Sequence, residues 1–301
     1  MEIKKFISSL NRKNLFLAIG FVLFWNSGFI GAEYGLPYTG PFTLVFWRYL
    51  ALTILIFFYL LITKRFRWIR PSVMGYNMLV GFLAHGVWLS CVLLALDQDV
   101  PAGIIAMVVA LQPLATGAFS GIAVGESTTF YRWLGLMIGF GGVAITVLFR
   151  IDFDAPESVF GYLIPLGSVM AITVATLIQR KMDILDTDFH LPMDLTLFYQ
   201  SLATMAALAI PAIFVENLDT QWTSEFIYTM IWLTLGVSLA AYAFMWLLIE
   251  EMDATRVASL FYLGPPVTML MAWIAFGDTL QMMDIAGLAV VFAGIVLTQR
   301  K

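Results

Sequence analysis

The chain reads as a succession of long apolar runs, each ended by a short cluster of charged residues, prolines or glycines. The runs fall near residues 15–33, 42–62, 73–95, 100–122 and 132–149, and again near 159–179, 194–214, 227–249, 255–276 and 284–299. Each is close to the roughly 20 residues that a helix needs to cross a bilayer. The pattern predicts an all-α membrane protein of ten transmembrane helices joined by short loops.

Composition strengthens this reading. Of 301 residues, 61% are hydrophobic and 12% charged, against roughly 45–50% and about 25% in a soluble domain. The mean hydropathy is +0.89. Ten spans of about 20 residues use some two-thirds of the chain, leaving no room for a soluble catalytic lobe or a nucleotide-binding domain. No G-x-x-x-x-G-K-[ST] run occurs either. The single cysteine, Cys91, lies inside an apolar run, so neither a disulfide framework nor a cysteine metal site is expected. No metal or other cofactor is expected, and no basic patch suited to nucleic acid is present. The first apolar run follows Lys4, Lys5, Arg12 and Lys13 as a signal peptide would. It is too long for one and meets no convincing cleavage site, so it is expected to remain as the first span.

Charge sets the expected orientation. With the N-terminus inside, fourteen Lys and Arg residues fall on inner segments and Arg150 alone on an outer loop, while Arg48 lies within a span. That bias predicts cytoplasmic termini at both ends, and the expected location is the bacterial inner membrane. The acidic loop residues read as solvated.

An internal repeat adds the most. A shift of 152 residues carries Pro113 to Pro265, Gly125-Glu126 to Gly277-Asp278, Gly135 to Gly287 and Gly142-Val143 to Gly294-Ile295. It also carries Phe46-Trp47 to Phe198-Tyr199. The expected division is 1–150 and 151–301, five spans each. An odd number of spans means that the second half enters the membrane from the opposite side. Inverted repeats of this kind recur in secondary transporters, with the substrate near the midplane between halves that rock for alternating access.

The paired P-(x)11-G-[ED] segments, Pro113 to Glu126 and Pro265 to Asp278, and the G-(x)6-G-[VI] segments after them resemble the drug/metabolite transporter superfamily. So do Phe24-Trp25-Asn26-Ser27-Gly28-Phe29 and Trp47-Arg48-Tyr49. The likeness is to its EamA-type branch and covers the whole chain. Asp278 departs from the commoner Gly-Glu. The resemblance implies a cavity lined by spans 1, 3 and 4 with 6, 8 and 9, spans 5 and 10 packing peripherally. It also implies export, with amino acids among several possible cargoes.

Polar groups inside the spans are the candidate site. His85 lies mid-span 3, where an ionisable group is by default a functional candidate, and Trp88 shares its face. It would hold a substrate carboxylate, or else sit neutral against a carbonyl between helices. No carboxylate lies at mid-depth, which disfavours ion coupling through a central acid. Arg48, about two turns into span 2, is expected to form a structural or gate ion pair with Glu33 rather than to touch substrate. With no other Lys or Arg at depth, phosphate esters are disfavoured. Trp25, Asn26, Gln112, Tyr242, Trp246 and Tyr262 are aromatic or polar candidates for the lining, lipid contact or packing being the alternative. Pro113, Pro265 and Pro266 would free backbone groups and kink their helices as hinges. Gly135, Gly139, Gly142, Gly287 and Gly294 have the spacing for close helix approach.

The expected function is a secondary transporter moving a small amphipathic metabolite outward, an apolar or aromatic amino acid first. The alternative is a carrier of other neutral metabolites or drugs. An intramembrane enzyme would need clustered acid/base or metal ligands, yet the two histidines, His85 and His190, lie far apart in depth. A scaffold would not need an inverted repeat. The expected partners are the small-molecule substrate and membrane lipid, with a monomer sufficient.

Overall fold

The computed structural model describes residues 12–125, 129–150, 156–185, 191–251, 257 and 260–298. Lys4, Lys5, Glu126 and His190 lie outside them, as does the expected division at residue 151.

Among the described residues ten apolar helices form, as predicted. They are α1 (Arg12–Gly35), α2 (Pro41–Ile62), α3 (Pro71–Asp97), α4 (Ala102–Ala123) and α5 (Phe130–Arg150) in the first half. The second half has α6 (Pro156–Leu185), α7 (Met193–Phe214), α8 (Ser224–Glu251), α9 (Phe261–Phe276) and α10 (Met282–Thr298). Helices are the only open-ended elements that satisfy every backbone group inside lipid. Among the described residues the sole strand-like contact is the bridge between Thr39 and Thr220.

Local chemistry explains where the helices begin and end. Pro41 and Pro71 open α2 and α3, where a missing N–H costs nothing because the first turn has no acceptor for it. α2 gains a further cap from the second half: the Glu216 carboxylate accepts from Phe42 N at 3.1 Å and Thr43 N at 2.7 Å. A carboxylate there satisfies free donors and meets the positive end of the helix dipole. α4 and α9 stop at Gly125 and Gly277, left-handed at φ 75° and 77°, a conformation that glycine adopts without strain. The two stops are repeat partners.

The repeat is also visible in packing. A Cβ on Gly142 of α5 would lie 2.6 Å from Gly287 O of α10, and one on Gly294 would lie 2.6 Å from Gly135 O. Gly135 and Gly287 are repeat partners, as are Gly142 and Gly294. Each contact is therefore the other with its partners exchanged, the mark of a two-fold axis between the halves. α2 and α7 form a second such pair, joined by the stacked rings of Phe57 and Phe198, 5.9 Å apart. Hydrophobic burial drives little association within a bilayer, so close backbone approach and buried polar contacts hold these pairs.

Among the described residues four helices depart from regular geometry, and again in related pairs. α3 contains a π-helical stretch at Phe82–Val87 and α8 another at Trp232–Ala240. The 152-residue shift carries the first into the second. α4 is interrupted between Val109 and Gln112, and α9 opens with a 3₁₀ turn at Phe261–Leu263. Pro113 and Pro265 stand in the first turn of the segments that follow. These prolines mark breaks at helix starts, rather than kinks within continuous helices.

Polar contacts between the halves close both ends of the bundle. At one end Thr39 Oγ1 donates to Asp219 O at 2.8 Å, Gln221 N donates to Tyr38 O at 2.8 Å, and Trp47 Nε1 donates to Thr220 Oγ1 at 3.0 Å. At the other, Lys13 pairs with Glu251 at 2.6 Å and Arg65 with Asp194 at 3.0 Å.

Candidate functional site

The irregular stretches surround two small cavities that share Trp25. Asn26, Gln112, Pro113, Tyr262 and Pro265 line the first. Arg48, Tyr49, His85, Trp88 and Tyr242 line the second. Their volumes are about 50 and 30 Å³, room for a few waters at about 10–15 Å³ of such space each. The bundle is closed tightly around this lining, so a larger guest requires the halves to part.

Each polar side chain has identifiable neighbours. His85 Nε2 lies 3.1 Å from Gln200 Oε1. With the amide oxygen as acceptor, Nε2 carries the proton, and Nδ1 is left to accept from the Tyr242 hydroxyl at 3.5 Å. His85 is thus held between α7 and α8, its ring edge-on to Tyr242 with centroids 6.0 Å apart. Gly81 allows this arrangement, because a Cβ there would run into the backbone of Gln200. Asn26 is committed too. Its Nδ2 donates to Val22 O at 2.7 Å, and its Oδ1 accepts from Thr268 Oγ1 at 3.0 Å, tying α1 to α9. Gln112 Nε2 donates to Thr116 Oγ1 at 3.2 Å within α4.

Trp25 is the hub of the aromatic lining, with ring centroids 5.4 Å from Tyr242, 6.4 Å from Trp88 and 5.2 Å from Phe261. Tilted and edge-on contacts at these separations are the favoured aromatic geometries. They build a wall of rings between the halves.

Several sequence expectations are corrected. The Glu33–Arg48 ion pair does not form. Arg48 Nε donates instead to Ser238 Oγ at 2.9 Å, and Glu33 Oε2 is buried without a partner. The guanidinium turns along the bundle toward the π-helical stretch of α8, away from the end of α1. Trp246 lines neither cavity and is 37% exposed. It sits one helical turn beyond Tyr242, about 6 Å along the axis, past the edge of the ring wall. Pro266 also lines neither cavity, although its neighbour Pro265 does. The lining differs from what the resemblance implied as well: α2 contributes Arg48 and Tyr49, while neither cavity draws on α6.

Tyr49, Gln200 and Ser238 were missed. A signal for Gln200 existed, since it is the repeat partner of Arg48 and the structure gives both the same task. Arg48 of α2 bonds the π-helical stretch of α8, and Gln200 of α7 bonds that of α3.

The EamA-like transporter family matches residues 12–148 and again 159–300. An uncharacterized transporter of Bacillus subtilis, YvbV, is 28% identical over 67% of this chain and 64% of its own length, so the match spans just under two thirds of that relative. The Salmonella typhimurium protein named "Probable amino-acid metabolite efflux pump" is 21% identical over 96% of this chain and 95% of its own. The uncharacterized inner membrane transporter YedA of Escherichia coli is 26% identical over 91% and 87%. A crystal structure with a TM-score of 0.64 and 20% identity covers 96% of this chain and 97% of that one, which shows the shared fold. With both halves matched and ten helices in two inverted sets, the chain belongs to the EamA-like transporter family.

Proposed function

We propose that this membrane transporter moves a small amphipathic metabolite, an amino acid with an apolar or aromatic side chain first, outward across the inner membrane by alternating access. The observation that carries this reading is the junction of the halves, where Trp25, Trp88 and Tyr242 line the second cavity together with Arg48, Tyr49 and His85. Rings suit an apolar body, and a few fixed polar groups suit its polar end. The name of the Salmonella relative, an amino-acid metabolite efflux pump, agrees with an amino-acid cargo moved outward. In this reading the termini face the cytoplasm, the substrate binds at depth in a monomer, and neither metal nor cofactor takes part. One closed end opens at a time, by release of the Thr39–Thr220 and Glu216 contacts or of Lys13–Glu251 and Arg65–Asp194.

Counterflow in proteoliposomes tests it. Vesicles preloaded with unlabelled amino acids should accumulate a labelled aromatic or aliphatic one with no ion gradient imposed. Folded protein that accumulates no amino acid would sink the cargo, and the search would move to other neutral metabolites.

A further inference from the structure

Arg48 is 5% exposed and lies at depth. A buried cation costs several kcal/mol unless it is paired and hydrogen-bonded. Here the compensation is incomplete. Nε reaches Ser238, and the guanidinium lies 5.9 Å from the centroid of the Tyr49 ring. Among the described residues no Asp or Glu forms an ion pair with it, and neither Nη atom has a hydrogen-bond partner. Those two nitrogens carry four of the five N–H donors of the group. In the same cavity the indole N–H of Trp88 is buried without an acceptor. His85 does not supply the missing anion and is already engaged by Gln200 and Tyr242. The cavity therefore presents unused donors, one fixed positive charge and no acidic side chain.

We propose that Arg48 anchors a carboxylate on the transported molecule, that Trp88 Nε1 donates to the same group, and that an ammonium on the ligand is dispensable. The proposal rests on the transporter reading above and narrows its substrate class. A guanidinium grips a carboxylate through two parallel N–H···O bonds, and the rings of Trp25, Trp88 and Tyr242 take the apolar body. The ammonium of an amino acid would meet rings but no carboxylate. An apolar monocarboxylate, with one negative charge to match one positive, is thus a ligand in its own right. A neutral amide or ester of the same body is not.

The test compares three probes of similar shape on the detergent-purified full chain: 3-phenylpropionate, L-phenylalanine and the neutral 3-phenylpropionamide. The first two should bind, and the amide should bind on the order of ten- to a hundredfold more weakly, as expected for loss of a charged hydrogen-bonded contact. Arg48→Gln should lose the acid by a similar factor, Arg48→Lys should recover part of it, and Trp88→Phe should weaken it by severalfold. Equal binding of amide and acid, or unchanged acid binding by folded Arg48→Gln, overturns the anchor. If Arg48→Gln fails to fold, the probe series on the wild type together with Trp88→Phe decides. The two readings fail separately. Phenylalanine counterflow that survives Arg48→Gln removes the anchor and keeps the amino-acid carrier. Binding of 3-phenylpropionate that depends on Arg48, with no amino-acid counterflow, does the reverse. A wild type that binds none of the three removes the anchor, and the counterflow series over all amino acids decides the carrier.

Discussion

The α5–α10 pair and the ring of α3, α4, α8 and α9 are built from the same repeat, yet their backbones follow opposite rules. α5 and α10 are uninterrupted, and glycines bring them so close that a Cβ on Gly142, Gly287 or Gly294 would run into the partner helix's backbone. Their one buried charge, Asp284, is answered by Arg150 through two contacts and by the backbone N–H of Gln281 at 2.8 Å. Around the cavities, two helices carry π-helical stretches, two are broken, and a buried cation keeps donors unused. Regular backbone with satisfied polar groups makes a fixed spine. Irregular backbone inside the membrane survives only where protein or a cavity shields it, and π-helical insertions occur often at functional sites. The contrast separates what holds the halves together from what has to rearrange when cargo passes.

Substitutions in the spine should act on folding. Asp284→Ala leaves Arg150 without its partner, and breaking a buried pair costs about 3–5 kcal/mol. Melting in detergent should fall steeply, and a melting temperature near wild type would show that the pair is not part of the spine. Gly142→Val pushes a side chain into the carbonyl of Gly287. Overpacking of this kind costs about 1–3 kcal/mol or more, and the yield of monodisperse protein should drop accordingly.

Changes in the ring wall should reverse that pattern. Trp25→Ala removes the hub of the lining and is expected to cut counterflow by about tenfold or more, an anchor ring being worth about 2 kcal/mol. Its melting temperature should shift less than that of Asp284→Ala. Trp246→Ala, one turn beyond Tyr242 and outside both cavities, should leave counterflow within about twofold of wild type, since exposed sites away from such features change energies by about 0.5 kcal/mol at most. Equal losses in these two variants would erase the distinction drawn between them.

The smallest effect belongs to the loop that joins the two regions. Burial raises the carboxyl pKa of Asp278, and Arg150 offsets this only in part. The folded chain therefore binds a proton there at a higher pH than the unfolded chain does, and stability declines as pH rises through that window. Asp278→Asn should melt slightly above wild type at about pH 8, with the gap narrowing as the pH falls toward about 4, the ordinary aspartate range, where the unfolded chain's carboxyl also begins to take up a proton. A gap that widens on acidification would reverse the assignment.

Some of this architecture follows from the order of residues alone. Ten apolar runs of membrane length require helices, because no other open element satisfies its backbone in lipid. Five spans on each side of a 152-residue shift require the halves to be inverted. The glycine rows of α5 and α10 and the stops at Gly125 and Gly277 were legible for the same reason: glycine leaves a gap, or a left-handed turn, wherever it lies. The aromatic and polar lining was legible only as a pool of candidates. Trp25, His85, Trp88 and Tyr242 meet in one cavity, whereas Trp246, equally aromatic and one turn away, does not. Which way Arg48 turns, toward Glu33 or toward Ser238, depends on the rotation of α2 against α8. The packing around it rests on close approaches such as those of Gly81 to Gln200, of Gly28 to Val237 and of Gly31 to Leu233, contacts between residues far apart in the chain. Periodicity and composition specify what crosses the membrane and how often. Helix rotation and depth specify which polar group is left without a partner, because both are fixed by packing that no local stretch of sequence contains.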